Sequence, residues 1–229
     1  MSYRKRPKPT YAERRHRSAG LRGYLRGNRS SKPEASGAKV SSNVYVPYYS
    51  REFKEVVEYI QTRMGKKVYL IGIRAMFERG VPLWRFTDDF DIYTPLTPEE
   101  RDETIDHVRG KYEGASHIWS RFGFGLNFDP IGHIDVNVIP PDILDESWEE
   151  EAIEINRVQV FLPPLEDLLV LKLLSPRRKD AKDVGVALRL GREKIDLGRL
   201  KARAEKAGVR RKLTKIAKRY GVDLGDTQP

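Results

Sequence analysis

Two acidic residues one position apart in an otherwise apolar strand constrain this chain more than any other sequence feature. They lie in the last strand of the segment 69–93, YLIGIRAMFERGVPLWRFTDDFDIY, which reads as a buried strand, a glycine, a short helix, a loop and a second strand. Because successive side chains of a strand point to opposite faces, Asp89 and Asp91 share one face while Phe90 points into a core. Two carboxylates roughly 7 Å apart at their Cα atoms can converge on one hard cation or on a pair of cations.

A third carboxylate lies in the later segment 132–139, GHIDVNVI, where polar and apolar residues alternate strictly. This alternation predicts a strand whose polar face carries His133 and Asp135. If that strand lies beside the one with Asp89 and Asp91, three carboxylates meet at one place. Because like charges so close together repel each other, bound magnesium is the natural way to offset them. His133 is then either a ligand of metal or substrate, or a structural residue.

Further patterns accompany the carboxylates. Gly72 opens a helix, and the segment 85–91 reads Arg-x-Thr-x-Asp-x-Asp. The segment 134–136 is hydrophobic-Asp-hydrophobic, Lys172 lies in a later helix, and 179–183 reads Lys-Asp-x-x-Asp. Together these patterns resemble the minimal nucleotidyltransferase fold of the DNA polymerase β superfamily. They are most similar to small nucleotidyltransferases of the abortive-infection toxin type.

The resemblance covers residues 67–190, about half of the chain, and it implies a magnesium-dependent enzyme with two metal ions. Such an enzyme moves a nucleoside monophosphate from an NTP to an acceptor. The resemblance implies that Asp89, Asp91 and Asp135 are the catalytic residues and the metal ligands, and that Asp135 also assists removal of a proton from the attacking hydroxyl. The residues expected to contact the nucleotide are Gly72, Arg85, Thr87 and Lys172.

Two positions leave alternatives open. Families of this type usually follow the glycine with a second glycine or a serine, whereas this chain has Ile73, whose bulky β-branched side chain hinders close approach to phosphate. Arg74 or Arg85 would then compensate as a phosphate ligand. Lys172 either faces the nucleotide or pairs with an aspartate of the 179–183 segment. Ile73 also favours the rival interpretation, a catalytically inactive protein with this fold that binds RNA or the ribosome through basic arms.

Helices and strands alternate along the chain, and its last third is helical, which predicts an α/β (α+β) protein. We expect a nucleotidyltransferase core with a small mixed β-sheet flanked by helices in residues 43–162. A basic C-terminal helical region follows in residues 163–229. Residues 1–42 are rich in Arg, Gly, Ser and Pro and have few apolar side chains, so we expect a disordered basic N-terminal arm.

Charge is distributed unevenly along the chain. Residues 1–40 carry 12 Lys and Arg against 2 acidic residues, and residues 172–229 carry 18 against 7, while the whole chain has a formal net charge of +10. Residues 41–171 carry 13 Lys and Arg against 24 acidic residues. This acidic middle suits a metal site, and the basic ends suit a polyanion. The expected partners are therefore an NTP and a nucleic acid, namely RNA, tRNA or the ribosome. An antitoxin protein is a further partner if the chain is the toxin half of a pair.

Several protein classes are disfavoured by composition. The chain has no cysteine, which excludes disulfides, thiolate catalysis and thiolate zinc sites. No run of 18 apolar residues is present, so no membrane contact is expected. The basic start has no apolar segment behind it, which argues against a secretory signal and favours a cytoplasmic protein. Charged residues make up 33% of the chain while Asn and Gln are scarce, a balance typical of thermophile proteins.

Overall fold

A seven-stranded mixed β-sheet forms the centre of the fold and holds the two acidic strands side by side. The residues described by the computed structural model lie in one compact unit; they are 50–82, 84–85, 87, 89–128 and 132–225. The predicted basic arm, residues 1–42, lies outside the described residues. The division that we predict between a core ending at residue 162 and a C-terminal region stays a prediction.

The strands follow the chain in an order that differs from their order in the sheet. In chain order they are β1 (Tyr69–Ile71), β2 (Asp89–Tyr93), β3 (Ser116–Trp119), β4 (Gly123–Phe128), β5 (Gly132–Asn137), β6 (Ala152–Ile155) and β7 (Val158–Phe161). Across the sheet the order is β3-β4-β5-β2-β1-β7-β6. Strands β2 and β5 are parallel, whereas β1 is antiparallel to β2 and β4 is antiparallel to β5. A parallel pair needs a long connection, and here a helix and the β3–β4 hairpin supply it.

Helices flank the sheet and make up most of the C-terminal part. They are α1 (Ser50–Met64), α2 (Gly72–Glu78), α3 (Pro98–Lys111), α4 (Leu165–Leu174), α5 (Arg178–Leu190), α6 (Leu197–Lys206) and α7 (Arg210–Arg219). Short 3-10 turns lie at Glu146–Glu149 and Arg192–Lys194. Among the described residues, no helix is both long enough and apolar enough to cross a membrane.

Helix α3 shows how local sequence sets an element boundary. The backbone N–H of Glu100 donates to the Thr97 hydroxyl at 3.3 Å, and the backbone N–H of Thr97 donates to the Glu100 carboxylate at 2.7 Å. Two backbone donors at the start of the helix are thereby satisfied. Pro98 takes the first helical position, where the missing N–H costs nothing.

The strand alternation that the sequence predicts decides which face of the sheet becomes core. Phe90 and Ile92 are fully buried, and the Phe90 ring stacks on Phe53 of α1 with the ring centroids 4.0 Å apart. On the other face, Asp89 is exposed and Asp91 is half-buried. The predicted α/β class, with a mixed sheet flanked by helices and a helical C-terminal part, is confirmed.

Candidate active site

Sheet register brings the predicted carboxylates onto one face. Asp91 of β2 is the direct partner of Asp135 on β5, and Asp89 is the partner of His133. Neighbouring strands lie about 4.8 Å apart, and partners in a sheet project their side chains to the same side. Asp89, Asp91 and Asp135 therefore occupy adjoining positions on the face of the sheet away from Phe90.

Gly72 gives the Asp91 carboxylate its place. This glycine begins α2 directly after β1 and has a φ of 73°, a left-handed conformation that residues with a Cβ adopt only at a cost. A side-chain carbon at Gly72 would lie 2.0 Å from Asp91 Oδ2 and 2.6 Å from Asp91 Cγ. The space above the Gly72 Cα is thus filled by the Asp91 carboxylate. Gly72 is required both by its backbone and by its acidic neighbour.

The Asp91 carboxylate carries a negative charge that its surroundings do not fully compensate. Burial raises the pKa of Asp91 to about 6; the Lys172 ammonium works against this rise, while Asp135 and Asp89 add to it. Within the part of the chain that the structure describes, no hydrogen bond to a protein group stabilises the ionised form. A bound cation would favour the ionised carboxylate.

His133 contacts the third carboxylate and so takes a position that the sequence left undecided. Its Nε2 lies 2.8 Å from Asp135 Oδ1, and its Nδ1 lies 2.7 Å from Asn127 Oδ1. The hydrogen bond with Asp135 raises the pKa of His133 above its ordinary value, against the effect of burial. Asn127 was not anticipated as a site residue, because it lies on β4 and only the pairing of β4 with β5 places it beside His133.

The carboxylates fit a divalent cation by their chemistry, since oxygen atoms of Asp are the ligands that Mg²⁺ prefers. The poorly compensated Asp91 carboxylate also fits, because a cation would supply the missing positive charge. Among the described residues, however, no three His, Asp or Glu side chains converge closely enough to hold a metal ion. Asp135 has one oxygen on His133 instead. The type of ligand therefore fits magnesium. Within the described ranges of the chain, the Asp89 and Asp91 carboxylates have no hydrogen-bond donor from the protein.

Lys172 is buried on α4 and makes two ion pairs. Its Nζ lies 3.0 Å from Asp180 Oδ1 and 3.1 Å from Asp183 Oδ2, both on α5. Burial alone would raise the pKa of Asp180, but hydrogen bonds from Ser175 and Lys172 outweigh it and hold this pKa at about 2. The ion-pair alternative for Lys172 is thus present. Its ammonium also acts on the Asp91 carboxylate, so a role towards the nucleotide stays a prediction.

Asp183 anchors the loop that leads into β2. It accepts hydrogen bonds from Trp84 Nε1 at 2.7 Å, from Arg85 Nε at 3.1 Å and from Arg85 Nη2 at 2.9 Å. The ammonium of Lys182 lies 3.5 Å from the centre of the Trp84 ring. Burial opposes ionisation of Asp183, yet the Arg85 hydrogen bond and Lys172 outweigh it and lower its pKa. Asp183 thus connects this loop to α5. The sequence offered Asp183 as one possible partner of Lys172, but it gave no sign of the contacts with Trp84 and Arg85.

The remaining predicted nucleotide contacts lie near this loop. Thr87 is half-buried, and its hydroxyl accepts the backbone N–H of Asp89 at 3.4 Å. The Arg85 guanidinium forms an ion pair with Asp183, with Nη2 2.9 Å from Oδ2. Ile73 is buried in the core, with 3% of its surface exposed. Arg74, named as a substitute phosphate ligand, pairs with Glu78 at 2.9 Å.

The sequence of residues 53–220 matches the family described as "Nucleotidyltransferase of unknown function (DUF6036)". This match spans well over half of the chain. No curated protein matches the chain.

Several solved structures are similar to this chain at low sequence identity. One is the crystal structure of ANT(2")-Ia in complex with adenylyl-2"-tobramycin, with a TM-score of 0.45, 14% identity, and coverage of 75% of this chain and 98% of the other. An antigenic nucleotidyltransferase-like protein from Paracoccidioides brasiliensis has a TM-score of 0.44 and 15% identity, covering 75% and 92%. The Megavirus polyadenylate synthase has a TM-score of 0.41 and 16% identity, covering 83% of this chain and 39% of the other.

Proposed function

The chain belongs to the nucleotidyltransferase family matched by residues 53–220, and on that premise we propose that it transfers a nucleoside monophosphate from an NTP to RNA, with tRNA as one candidate. Magnesium, as two ions, is the proposed cofactor. The observation that carries the proposal is the placement of Asp91 beside Asp135, with Asp89 on the same face of the sheet. The proposed location is the cytoplasm, where NTPs and RNA are both present.

Each carboxylate has a proposed role. Asp89 and Asp91 would hold the metal ions, and Asp135 would complete the metal site and assist removal of the proton from the acceptor hydroxyl. Magnesium, when bound, would neutralise charge on the triphosphate and orient it. Gly72 keeps Asp91 in place and is a proposed nucleotide contact through its backbone. Arg85, Thr87 and Lys172 are the proposed triphosphate contacts.

In the proposed reaction one bond to phosphorus forms as another breaks. The acceptor oxygen forms a bond to the α-phosphorus of the NTP while the bond from that phosphorus to the bridging oxygen breaks, and pyrophosphate leaves with the bonding electron pair. The hydroxyl proton passes to Asp135 and then to solvent. No other co-reactant is needed.

The proposed acceptor is a nucleic acid because the basic residues concentrate at both ends of the chain. Residues 172–229 carry 18 Lys and Arg against 7 acidic residues. Charge of this kind binds a phosphate backbone with little regard to sequence and makes affinity dependent on salt. We therefore expect RNA binding that weakens steeply with ionic strength and weakens further when residues 1–42 are removed.

The test is transfer of label from each α-labelled NTP to total RNA in the presence of Mg²⁺. Wild-type protein should label RNA with at least one NTP, and the Asp89→Ala/Asp91→Ala variant should not. A matched control is Asp102→Ala/Asp106→Ala, which removes two exposed aspartates from α3 and should leave labelling unchanged. Absence of labelling with every NTP would contradict the transferase.

A second candidate function is a non-catalytic protein that keeps the fold and binds RNA or the ribosome through its basic ends. It is favoured by the ion pairs of the cations that are proposed to contact the triphosphate. Lys172 pairs with Asp180 and Asp183, and Arg85 pairs with Asp183, so both cations already have partners within the protein. Calorimetry with Mg²⁺ and a non-hydrolysable NTP separates the two candidates. The transferase binds the nucleotide, whereas the non-catalytic protein binds RNA alone.

The proposed enzyme could act as the toxin of a toxin–antitoxin pair, with an antitoxin protein as its partner. Induced expression should then arrest growth, and the Asp89→Ala/Asp91→Ala variant should not. Growth that continues unchanged with active wild-type enzyme would exclude this biological role while leaving the transferase activity standing.

A further inference from the structure

Three arginines line an open cleft at the ends of two C-terminal helices. The cleft has a volume of about 660 Å³ and lies where α5 and α7 end. Its lining includes Arg189, Arg192 and Arg219 but a single acidic residue, Asp223. We propose that this cleft binds the phosphate backbone of RNA and so holds the acceptor of the transferase. The inference rests on the proposed function and names the part of the chain that contacts its macromolecular substrate.

Close packing of α5 against α7 forms the floor of the cleft. Gly185 is buried in the middle of α5, and a side-chain carbon there would lie 2.1 Å from the Tyr220 ring. Glycine inside a helix is destabilising relative to alanine, but here it lets the ring lie directly against the helix. Tyr220 follows the last residue of α7. This contact therefore holds the end of α7, with Arg219, beside the end of α5, with Arg189.

The arginines of the cleft are not occupied by strong contacts within the protein. Arg189 and Arg219 are exposed, and among the residues that the structure describes their side chains make no hydrogen bond, ion pair or ring contact. Arg192 is also exposed, and its Nη1 donates to the Ile195 carbonyl at a distance of 3.4 Å, which is long for a hydrogen bond. All three guanidinium groups can therefore bind a ligand without first breaking an ion pair.

The acidic residue of the cleft does not neutralise these arginines. Asp223 Oδ1 accepts the backbone N–H of Gly225 at 2.8 Å, and across the described ranges Asp223 forms no ion pair with an arginine. Three positive charges thus face one negative charge in a cleft that is open to solvent. Because each guanidinium offers several N–H donors that match phosphate oxygens, the cleft complements a phosphodiester chain in charge and in hydrogen bonding.

Helix ends offer a structural explanation for two of the arginines. Arg189 lies in the last turn of α5 and Arg219 in the last turn of α7, where a positive charge interacts favourably with the helix dipole. That explanation does not cover Arg192, which belongs to the 3-10 turn beyond the end of α5. It also gives no reason for both helix ends to meet in one cleft. RNA binding accounts for all three arginines together.

The cleft belongs to the helix that also contacts the proposed nucleotide site. Arg189 follows Asp183 by six residues, which is roughly 9 Å along the axis of α5. Asp183 pairs with Lys172 and with Arg85, two of the proposed triphosphate contacts. One helix therefore connects the proposed RNA contact to the proposed nucleotide contacts.

RNA binding tests the inference without NTP and without any activity measurement. Fluorescence anisotropy with a labelled oligouridylate, measured on the full chain at several salt concentrations, gives the affinity and its salt dependence. Arg189→Ala/Arg192→Ala/Arg219→Ala should bind about tenfold more weakly or worse. The slope of log K against log[salt] should fall in magnitude by about 2, since each phosphate contact with a single strand contributes about 0.7. Wild-type protein that binds no oligouridylate would overturn the proposal.

The matched control removes three exposed arginines that lie outside both the cleft and the basic ends, as Arg51→Ala/Arg109→Ala/Arg157→Ala. It changes the net charge by the same amount and should keep the affinity and the salt slope of wild type. Equal weakening by the two triple variants would overturn the proposal, because it would show attraction to the overall charge and not to the cleft.

Photochemical crosslinking provides a second measurement that needs no variant. Irradiation of wild-type protein bound to an oligouridylate that contains 4-thiouridine should give crosslinked peptides from residues 188–192 or 219–223. Absence of crosslinks from both segments would overturn the proposal. Thermal unfolding of the triple variants shows whether lost binding comes from an unfolded protein, and the crosslinks then decide.

The cleft and the transferase fail in different ways. If wild-type protein labels no RNA, the transferase proposal fails, and the anisotropy comparison still decides whether the cleft binds RNA. If labelling occurs but the cleft variant keeps full affinity for oligouridylate, only the location assigned to RNA is wrong. When both proposals hold, the cleft variant raises the KM for RNA and leaves kcat and the KM for NTP unchanged.

Discussion

Gly72 and Asp91 lie in contact at the point where β1 turns into α2, and the carboxylate fills the space that a side chain at position 72 would need. A side-chain carbon at Gly72 would come within 2.0 Å of Asp91 Oδ2. The glycine therefore acts on the carboxylate directly, in addition to giving the backbone freedom to turn with a φ of 73°. This contact couples the start of a helix to the acidic face of the neighbouring strand.

The first prediction concerns this contact. Gly72→Ala should displace the Asp91 carboxylate and abolish most of the NTP-dependent labelling of RNA, and backbone strain should also lower the free energy of unfolding by about 1–2 kcal/mol. The control is Gly65→Ala, at a φ of 63° with no atom within 4 Å of the added carbon. It should show the strain in urea unfolding while keeping full labelling. Equal labelling by both variants would contradict the prediction.

The second prediction concerns the anchor of the loop before β2. Asp183→Asn removes a buried charge that three side chains contact, Trp84, Arg85 and Lys172. Because the buried cations are left poorly compensated, the free energy of unfolding should fall by about 3 kcal/mol. Urea unfolding measures the change. Asp106→Asn, an exposed position on α3, should change stability by no more than about 0.5 kcal/mol.

The third prediction is a pH dependence of stability from Asp180. Its folded pKa of about 2 lies below the ordinary value of 3.8, so the unfolded chain binds the proton first as pH falls. The stabilisation is therefore complete above pH 4 and is lost between about pH 4 and pH 2; its size is on the order of 2 kcal/mol. The difference in unfolding free energy between wild type and Asp180→Asn should shrink across this window. A difference that stays constant from pH 6 to about pH 2 would show that the carboxylate is not held in its ionised form.

The fourth prediction concerns the start of α3. Thr97→Ala removes the acceptor for the Glu100 N–H, and the free energy of unfolding should fall by about 1 kcal/mol. Because the cap lies away from the carboxylates, RNA labelling at a temperature where the variant is folded should not change. Thr62→Ala is the matched control: its hydroxyl donates to the Glu58 carbonyl within α1, so its loss should cost less than the loss of the cap. Urea unfolding compares the two variants.

The acidic face illustrates what strand periodicity can predict. Alternation within 89–93 predicts that Asp89 and Asp91 face away from Phe90, and alternation within 132–137 predicts that Asp135 faces away from the apolar side chains of its own strand. In the structure the two strands are adjacent, and the three carboxylates lie on one face. Nothing local in either segment shows that Asp91 and Asp135 are direct partners, because register depends on the pairing of two strands far apart in the chain. The roles assigned to these three residues stay predictions.

The cationic residues illustrate the limit of prediction from sequence. The sequence indicates that Lys172 needs a partner, since a lysine in an apolar helix is costly without one. It leaves open whether that partner is the nucleotide or an aspartate. The packing of α5 on α4 supplies both Asp180 and Asp183. The links from Asp183 to Trp84 and Arg85 connect residues 99 and 98 positions apart, respectively, and no pattern in the sequence indicates them.

The sequence by itself determined the alternating elements, the side of each strand that carries its carboxylates, the cap of α3 and the uneven charge, because these depend on residues that are neighbours in the chain. The tertiary structure alone decided that Asp91 lies against Gly72, that His133 holds Asp135 and that Lys172 is shared between two aspartates. Those contacts join side chains from different elements, and their distances are set by strand register and helix packing.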